Sequence, residues 1–178
     1  MDPIVINFVI SVFFTFLGAI LCLRKYFQTK LRSILFLCLT LVFVMMALIF
    51  EGIYNVMNSK LMLQITLLFY ILVLFSSIFF IESISQDKIG GVYTIIAAVL
   101  GSAVFVLIFQ DNTFYILNEK VLLSVSFLVV YVFMTLYSAV LMGVHLTRIA
   151  LNAPKSHRFN AYMVLLGFSI FSLVPIVI

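Results

Sequence analysis

The chain has 178 residues, of which 66% are hydrophobic and 9% are charged, and its mean hydropathy is +1.34. A soluble domain carries about 25% charged residues, because its exterior must face water. This composition excludes a soluble globular domain. The formal net charge is +4. Nucleic-acid binding needs a basic soluble surface, and a chain of this composition provides none, so we expect no nucleic-acid partner.

Six continuous apolar runs are long enough to cross the hydrocarbon core, which takes about 20 residues of helix. We therefore predict an all-α fold: a polytopic transmembrane helical bundle of six spans, forming a single transmembrane domain over residues 1–178. The predicted spans are residues 4–23, 33–53, 61–81, 92–109, 121–150 and 161–178.

The charged residues separate by loop. The loops after the first, third and fifth spans hold eight of the ten Lys and Arg residues, and basic loops stay in the cytoplasm. The opposite loops hold only Lys60 and Lys120. We predict an integral, multi-pass membrane protein whose basic loops are cytoplasmic and whose two termini are on the other side. A seventh helix after residue 178 would return the C-terminus to the cytoplasm.

The second span ends with one carboxylate, Glu51, which follows a continuous apolar run. A buried carboxylate at this depth is able to relay protons, since intramembrane ionisable groups mark ion and proton paths. The residue count places Glu51 within a turn of the outer interface, so an ordinary interfacial acid is the other interpretation. The third span carries a small polar stripe, Thr66, Tyr70 and Ser77, and Glu82 closes it at the cytoplasmic face.

The fourth loop holds a short apolar patch, residues 114–117, between two polar clusters. We interpret the patch as lying in the membrane interface, or as a contact for a partner subunit.

The fifth span carries a polar stripe at a seven-residue interval, which keeps side chains on one face of a helix. Its members are Ser124, Tyr131, Thr135, Ser138 and His145. Polar groups in lipid face protein or water, so the stripe should point into the bundle. Interhelical hydrogen bonding is the simpler interpretation. The alternative is a polar path or ligand pocket gated by His145, the side chain most easily switched near neutral pH.

Two pairs of small residues at four-residue spacing predict close helix packing. Ala97 and Gly101 form one pair in the fourth span, and Ala139 and Gly143 form the other in the fifth.

The sequence offers no set of catalytic, metal-binding or cofactor-binding residues. His145 and His157 are far apart with no acid within a turn, and phosphate-loop and hydrolase motifs are absent. Cys22 and Cys38 are interpreted as inert buried thiols, with a redox pair as the alternative. We expect no enzyme, although a lipid-modifying activity using Glu82 and Asp87 is a third hypothesis.

The overall pattern resembles the seven-helix N-terminal membrane regions of sensor histidine kinases and related archaeal multi-span membrane proteins. The likeness is carried by the basic first loop (residues 24–32), an aromatic-rich second span and the third span closing with residues 79–83. It implies a helical bundle with an outside N-terminus, and it assigns no functional residue.

Together these observations favour a non-catalytic integral membrane protein: a sensor-like or scaffolding helical bundle, or a small subunit of a larger membrane complex. Its partners would be membrane lipid and either other membrane subunits or further copies of the chain. The alternative is a small channel or carrier that uses the polar stripe of the fifth span.

Overall fold

The computed structural model describes residues 3–85, 91–117 and 120–152. Five helices run in chain order: α1 (Pro3–Thr29), α2 (Arg32–Met57), α3 (Lys60–Ser85), α4 (Val92–Ile108) and α5 (Val125–Asn152). Strands β1 (Phe114–Leu117) and β2 (Lys120–Leu123) form an antiparallel hairpin between α4 and α5. The predicted sixth span, residues 161–178, lies outside the described residues.

Four of the helices are long and apolar enough to cross a membrane: Phe8–Thr29, Arg32–Met57, Lys60–Ile84 and Val125–Asn152. The fourth predicted span corresponds to a shorter apolar helix, Val92–Ile108. The helical architecture and the membrane-spanning character of these four helices agree with the predicted bundle. The count of six spans stays a prediction.

The first three helices are joined by tight turns that depend on two residues with left-handed backbone. Lys30 has φ 55° and Asn58 has φ 47°. Asn adopts this conformation readily, because its short polar side chain can hydrogen-bond locally. The N–H of Asn58 donates to the carbonyl of Tyr54 at 2.7 Å, and this bond ends α2. The short turns make α1, α2 and α3 antiparallel neighbours.

Helix α3 is at the centre of the arrangement, since it packs against α2, α4 and α5. Among the described elements, helix α1 packs extensively only on α2. Two apolar clusters fill the interior. One lies toward the hairpin and includes Phe127, Met134 and Val104. The other lies toward the opposite end and joins Phe80 and Ile81 of α3 to Met142 and Leu146 of α5.

The ends of α1 and α5 carry most of the described basic residues. Arg24, Lys25, Lys30, Arg32 and Arg148 all lie at the end of the bundle that includes the Phe80 cluster. We call this the basic end. The opposite end, with the hairpin and Lys60, is called the hairpin end.

The predicted start of the fifth span at residue 121 is wrong. Residues 120–123 pair with residues 114–117 as strand β2, and α5 begins at Val125. A short apolar run does not distinguish a strand from the first turn of a helix. The hairpin is held on the bundle by Thr113, whose hydroxyl donates to the carbonyl of Leu107 and whose carbonyl accepts from the N–H of Ser124.

Candidate functional site

Three members of the predicted α5 stripe are buried inside the bundle. Tyr131, Thr135 and Ser138 all face inward, and each exposes less than a tenth of its surface. The hydroxyl of Thr135 donates to the carbonyl of Tyr131 at 2.9 Å. The inward direction of these three side chains agrees with the stripe that the sequence predicts.

The two outer members of the stripe lie elsewhere. Ser124 precedes the helix, and its Oγ accepts from the N–H of Phe127 at 3.4 Å, the position of an N-cap. Ser124 therefore lies immediately before the first residue of α5. His145 is half-buried, and its ring meets Tyr93 of α4 edge to face with centroids 5.4 Å apart. The stripe thus contributes three residues to the interior rather than five.

Glu51 is a carboxylate of the hairpin-end half of the bundle, and it has a defined partner. The hydroxyl of Tyr70 on α3 donates to Oε2 of Glu51 at 2.7 Å. Glu51 lies six residues before the end of α2 at Met57, which is about 9 Å along the axis. Glu51 is half-buried. Its environment is therefore intermediate between the buried carboxylate and the interfacial acid that the sequence suggests.

Tyr70 packs against the cluster that contains Tyr131. We call Glu51, Tyr70 and Tyr131, which belong to α2, α3 and α5, the hairpin-end polar cluster. Chemically it offers an acceptor and two phenols, which suits proton exchange better than bond making.

A second carboxylate, Glu82, lies at the basic end and is fully buried, with 0% exposed. Its Oε1 accepts from the N–H of Thr94 at 3.0 Å. Its Oε2 accepts from the hydroxyl of Thr94 at 2.6 Å and from the N–H of Gly91 at 3.4 Å. Glu82 of α3 thereby caps the first turn of α4.

Sequence reasoning missed this cap: it placed Glu82 at the close of the third span and offered it as an acid for a lipid-modifying activity. One signal was present. Gly91, the N-cap of α4, has no side chain to satisfy the exposed N–H groups. A carboxylate is the strongest acceptor for such groups, and the positive end of the helix dipole favours its charge.

Tyr137 of α5 lies beside the same corner. Its hydroxyl donates to the carbonyl of Tyr93 at 3.2 Å. With the Tyr93–His145 ring contact, this bond attaches the start of α4 to α5. These contacts hold α3, α4 and α5 together at the basic end.

Several buried hydroxyls form hydrogen bonds within the bundle. Thr40 of α2 donates to Ser76 of α3 at 3.0 Å, and Ser76 and Ser77 both donate to the carbonyl of Val73. In the part of the chain that the structure describes, every side-chain nitrogen or oxygen that is fully shielded from solvent has a hydrogen-bond partner.

The small-residue pair of α4 lies against α3. Ala97 is fully buried, and a Cβ built on Gly101 would lie 2.5 Å from Cζ of Phe75. Of the α5 pair, Ala139 is half-buried, and a Cβ on Gly143 would meet no described atom within 4 Å. Gly101 therefore permits a close ring contact, whereas Gly143 faces open space among the described residues.

Both cysteines are reduced, and they lie on α1 and α2, which pack together. The thiol of Cys38 donates to the carbonyl of Ala19 at 3.5 Å. Across residues 3–85, 91–117 and 120–152, no three His, Cys, Asp or Glu side chains are grouped as a metal site would need.

Comparison with known proteins identifies no relative. No protein-family model, curated protein or solved structure matches the chain. The resemblance to sensor-kinase membrane regions therefore gains no support from a match, and the functional reasoning depends on the geometry of the chain itself.

Proposed function

We propose that this chain is a non-catalytic, multi-pass membrane protein that serves as a scaffolding or sensor-like bundle, most simply as a small subunit of a larger membrane complex. The observation that carries the proposal is the use of its polar groups. Three hydrogen bonds, Thr40–Ser76, Tyr70–Glu51 and Thr94–Glu82, each join two of the described helices. The hydroxyls of Ser77 and Thr135 return to the backbone of their own helices.

Helix α1 supports the subunit form of the proposal. It contacts the rest of the described bundle mainly through α2, and its other faces carry large apolar side chains. Phe14 is 66% exposed and Leu21 is 64% exposed. Lipid tails are as apolar as these side chains, so helix association here would be driven by packing rather than by the hydrophobic effect. A peripheral aromatic helix provides such a packing surface for another membrane helix.

Site-specific photo-crosslinking in native membranes tests this proposal. A benzophenone amino acid replaces Phe14 in one variant and Phe105, an exposed residue of α4, in the matched control. The proposal predicts a discrete protein adduct, with a second copy or another subunit, from position 14 and mainly lipid adducts from position 105. Lipid adducts alone at position 14, together with a strictly monomeric purified protein, would contradict it.

A second candidate function is a small carrier or channel. It is favoured by the inward stripe of α5, in which Thr135 and Ser138 lie between the hairpin-end polar cluster, which includes Tyr131, and the basic end. Glu51 makes the proton the natural species to test. The expected result for a carrier is proton flux in proteoliposomes, measured with an internal pH dye, that falls in Tyr131→Phe and Ser138→Ala. Absence of flux would remove the carrier, and undiminished flux in both variants would remove the stripe from its mechanism.

A further inference from the structure

An open surface depression of about 540 Å³ lies along one face of α5 at the basic end of the bundle, and we call it the α5 groove. It is lined by Gly143, Val144, Thr147, Arg148, Leu151 and Asn152. The lining residues recur every three to four positions, so they share one face of the helix.

The groove is amphipathic along its length. Its floor, toward the middle of α5, is formed by Gly143 and Val144. Its end, toward Asn152, holds the hydroxyl of Thr147, the guanidinium of Arg148 and the amide of Asn152. All three polar side chains are exposed. None of them has a hydrogen bond or ion pair with any residue in the described ranges, which leaves three adjacent polar groups for an external ligand.

Gly143 leaves part of the α5 groove without a side chain. A Cβ at this position would meet no described atom within 4 Å, so the apolar half of the groove is open where a side chain would otherwise fill it. Val144 and Leu151, 61% and 59% exposed, flank this opening with apolar surface. An extended hydrocarbon chain fits such a floor, since it needs apolar contact and no hydrogen bonds.

The positive charge of Arg148 indicates which headgroup the ligand carries. Arg presents a planar fork of donors that matches phosphate oxygens in pairs. The C-terminus of α5 carries about half a negative charge, which opposes an anion, so the full positive charge of Arg148 must carry the recognition. We propose that the α5 groove is a binding site for an anionic phospholipid, with the phosphate on Arg148 and Thr147 and one acyl chain along Gly143 and Val144.

The charge distribution supports a lipid as the occupant. The site lies at the end of the bundle that also carries Arg24, Lys25, Lys30 and Arg32. Basic residues at the end of a membrane helix lie at the depth of the headgroups, where anionic lipids are attracted to them. The groove adds shape to this general attraction, since it provides one defined phosphate position and one defined chain position.

The test uses the full-length protein in detergent, titrated with phosphatidylglycerol and followed by native mass spectrometry of the first bound lipid. Arg148→Gln removes the charge, and Gly143→Leu fills the floor while every charge is kept. Arg24→Gln is the matched control, because it removes an exposed arginine from α1 at the same end. Both variant sites in the groove are open, so all three proteins are expected to fold.

We expect Arg148→Gln to weaken binding of the first lipid about tenfold, the scale of a charge-assisted phosphate contact. Gly143→Leu should weaken it about fourfold for each methylene that it displaces, and Arg24→Gln should change it less than about twofold. Soluble glycerol phosphate in large molar excess should not displace the lipid. Equal effects of Arg148→Gln and Arg24→Gln, an unchanged Gly143→Leu, or displacement by glycerol phosphate would each overturn the proposal.

Discussion

The hydroxyl of Tyr70 lies 2.7 Å from Oε2 of Glu51 and joins the third helix to the second. This contact pairs a carboxylate of the hairpin-end half with a phenol that also packs against the cluster containing Tyr131. In an apolar bundle a half-buried carboxylate is costly unless it accepts hydrogen bonds. The pair therefore both satisfies Glu51 and fixes the register of α2 against α3.

Tyr70→Phe should lower the free energy of unfolding by about 1–3 kcal/mol, because it leaves the carboxylate without this donor. Unfolding in detergent micelles, followed by circular dichroism, measures the change. In a double-mutant cycle with Glu51→Leu, which removes the acceptor, the two losses should be non-additive, since the residues share one bond. The control is Tyr115→Phe in the exposed part of the hairpin, where a change within about 0.5 kcal/mol is expected. Strict additivity in the cycle would show that the two side chains do not interact.

Glu82→Gln should destabilise the protein by about 2 kcal/mol, although the side chains are nearly equal in size. The amide keeps one acceptor oxygen, but its NH₂ group cannot accept from Thr94 or Gly91, and the favourable charge at the start of α4 is lost. Hydrogen exchange should locate the loss at the first turn of α4.

The neighbouring Ser83→Ala is the control for Glu82. The Ser83 hydroxyl returns to the carbonyl of Phe80 within the same helix, so its removal should cost less than about 1 kcal/mol. Unchanged exchange at the start of α4 in Glu82→Gln would contradict the capping role.

Two glycines should respond in opposite directions to alanine. Gly101→Ala should destabilise by about 1–3 kcal/mol, because its Cβ overlaps the Phe75 ring. Gly143→Ala meets no described atom and should stabilise by up to about 1 kcal/mol through helix propensity. Thermal unfolding of the two variants side by side provides the comparison. Rescue of Gly101→Ala by Phe75→Leu would identify the ring as the cause, and destabilisation of equal size in both variants would refute the contrast.

The long helices could be predicted because runs of about 20 apolar residues have few other solutions in lipid. The boundaries near residue 121 could not, because Val121, Leu122 and Leu123 suit a strand as well as a helix, and only their pairing with Phe114, Tyr115 and Ile116 decides. Such pairing depends on contacts between separate segments, which a run of apolar residues does not encode.

The interior polar groups could likewise be predicted only in part from the sequence. The seven-residue spacing is enough to place Tyr131 and Ser138 on one face of a helix. The bond between Glu51 and Tyr70 and the cap from Glu82 to Thr94 depend on how separate helices meet. Periodicity along one helix predicts which residues face inward, but the partner on the next helix is set by packing.

The proposed localisation is that the chain crosses the membrane several times with its basic end in the cytoplasm. The most direct measurement is labelling of single cysteines in intact cells with a membrane-impermeant maleimide, in a background without Cys22 and Cys38. Asn112 and Gln28 are exposed positions at the hairpin end and the basic end. The account predicts that Asn112→Cys is labelled in intact cells and that Gln28→Cys is labelled only after permeabilisation. Labelling of Gln28→Cys from outside, or of both positions in intact cells, would contradict it.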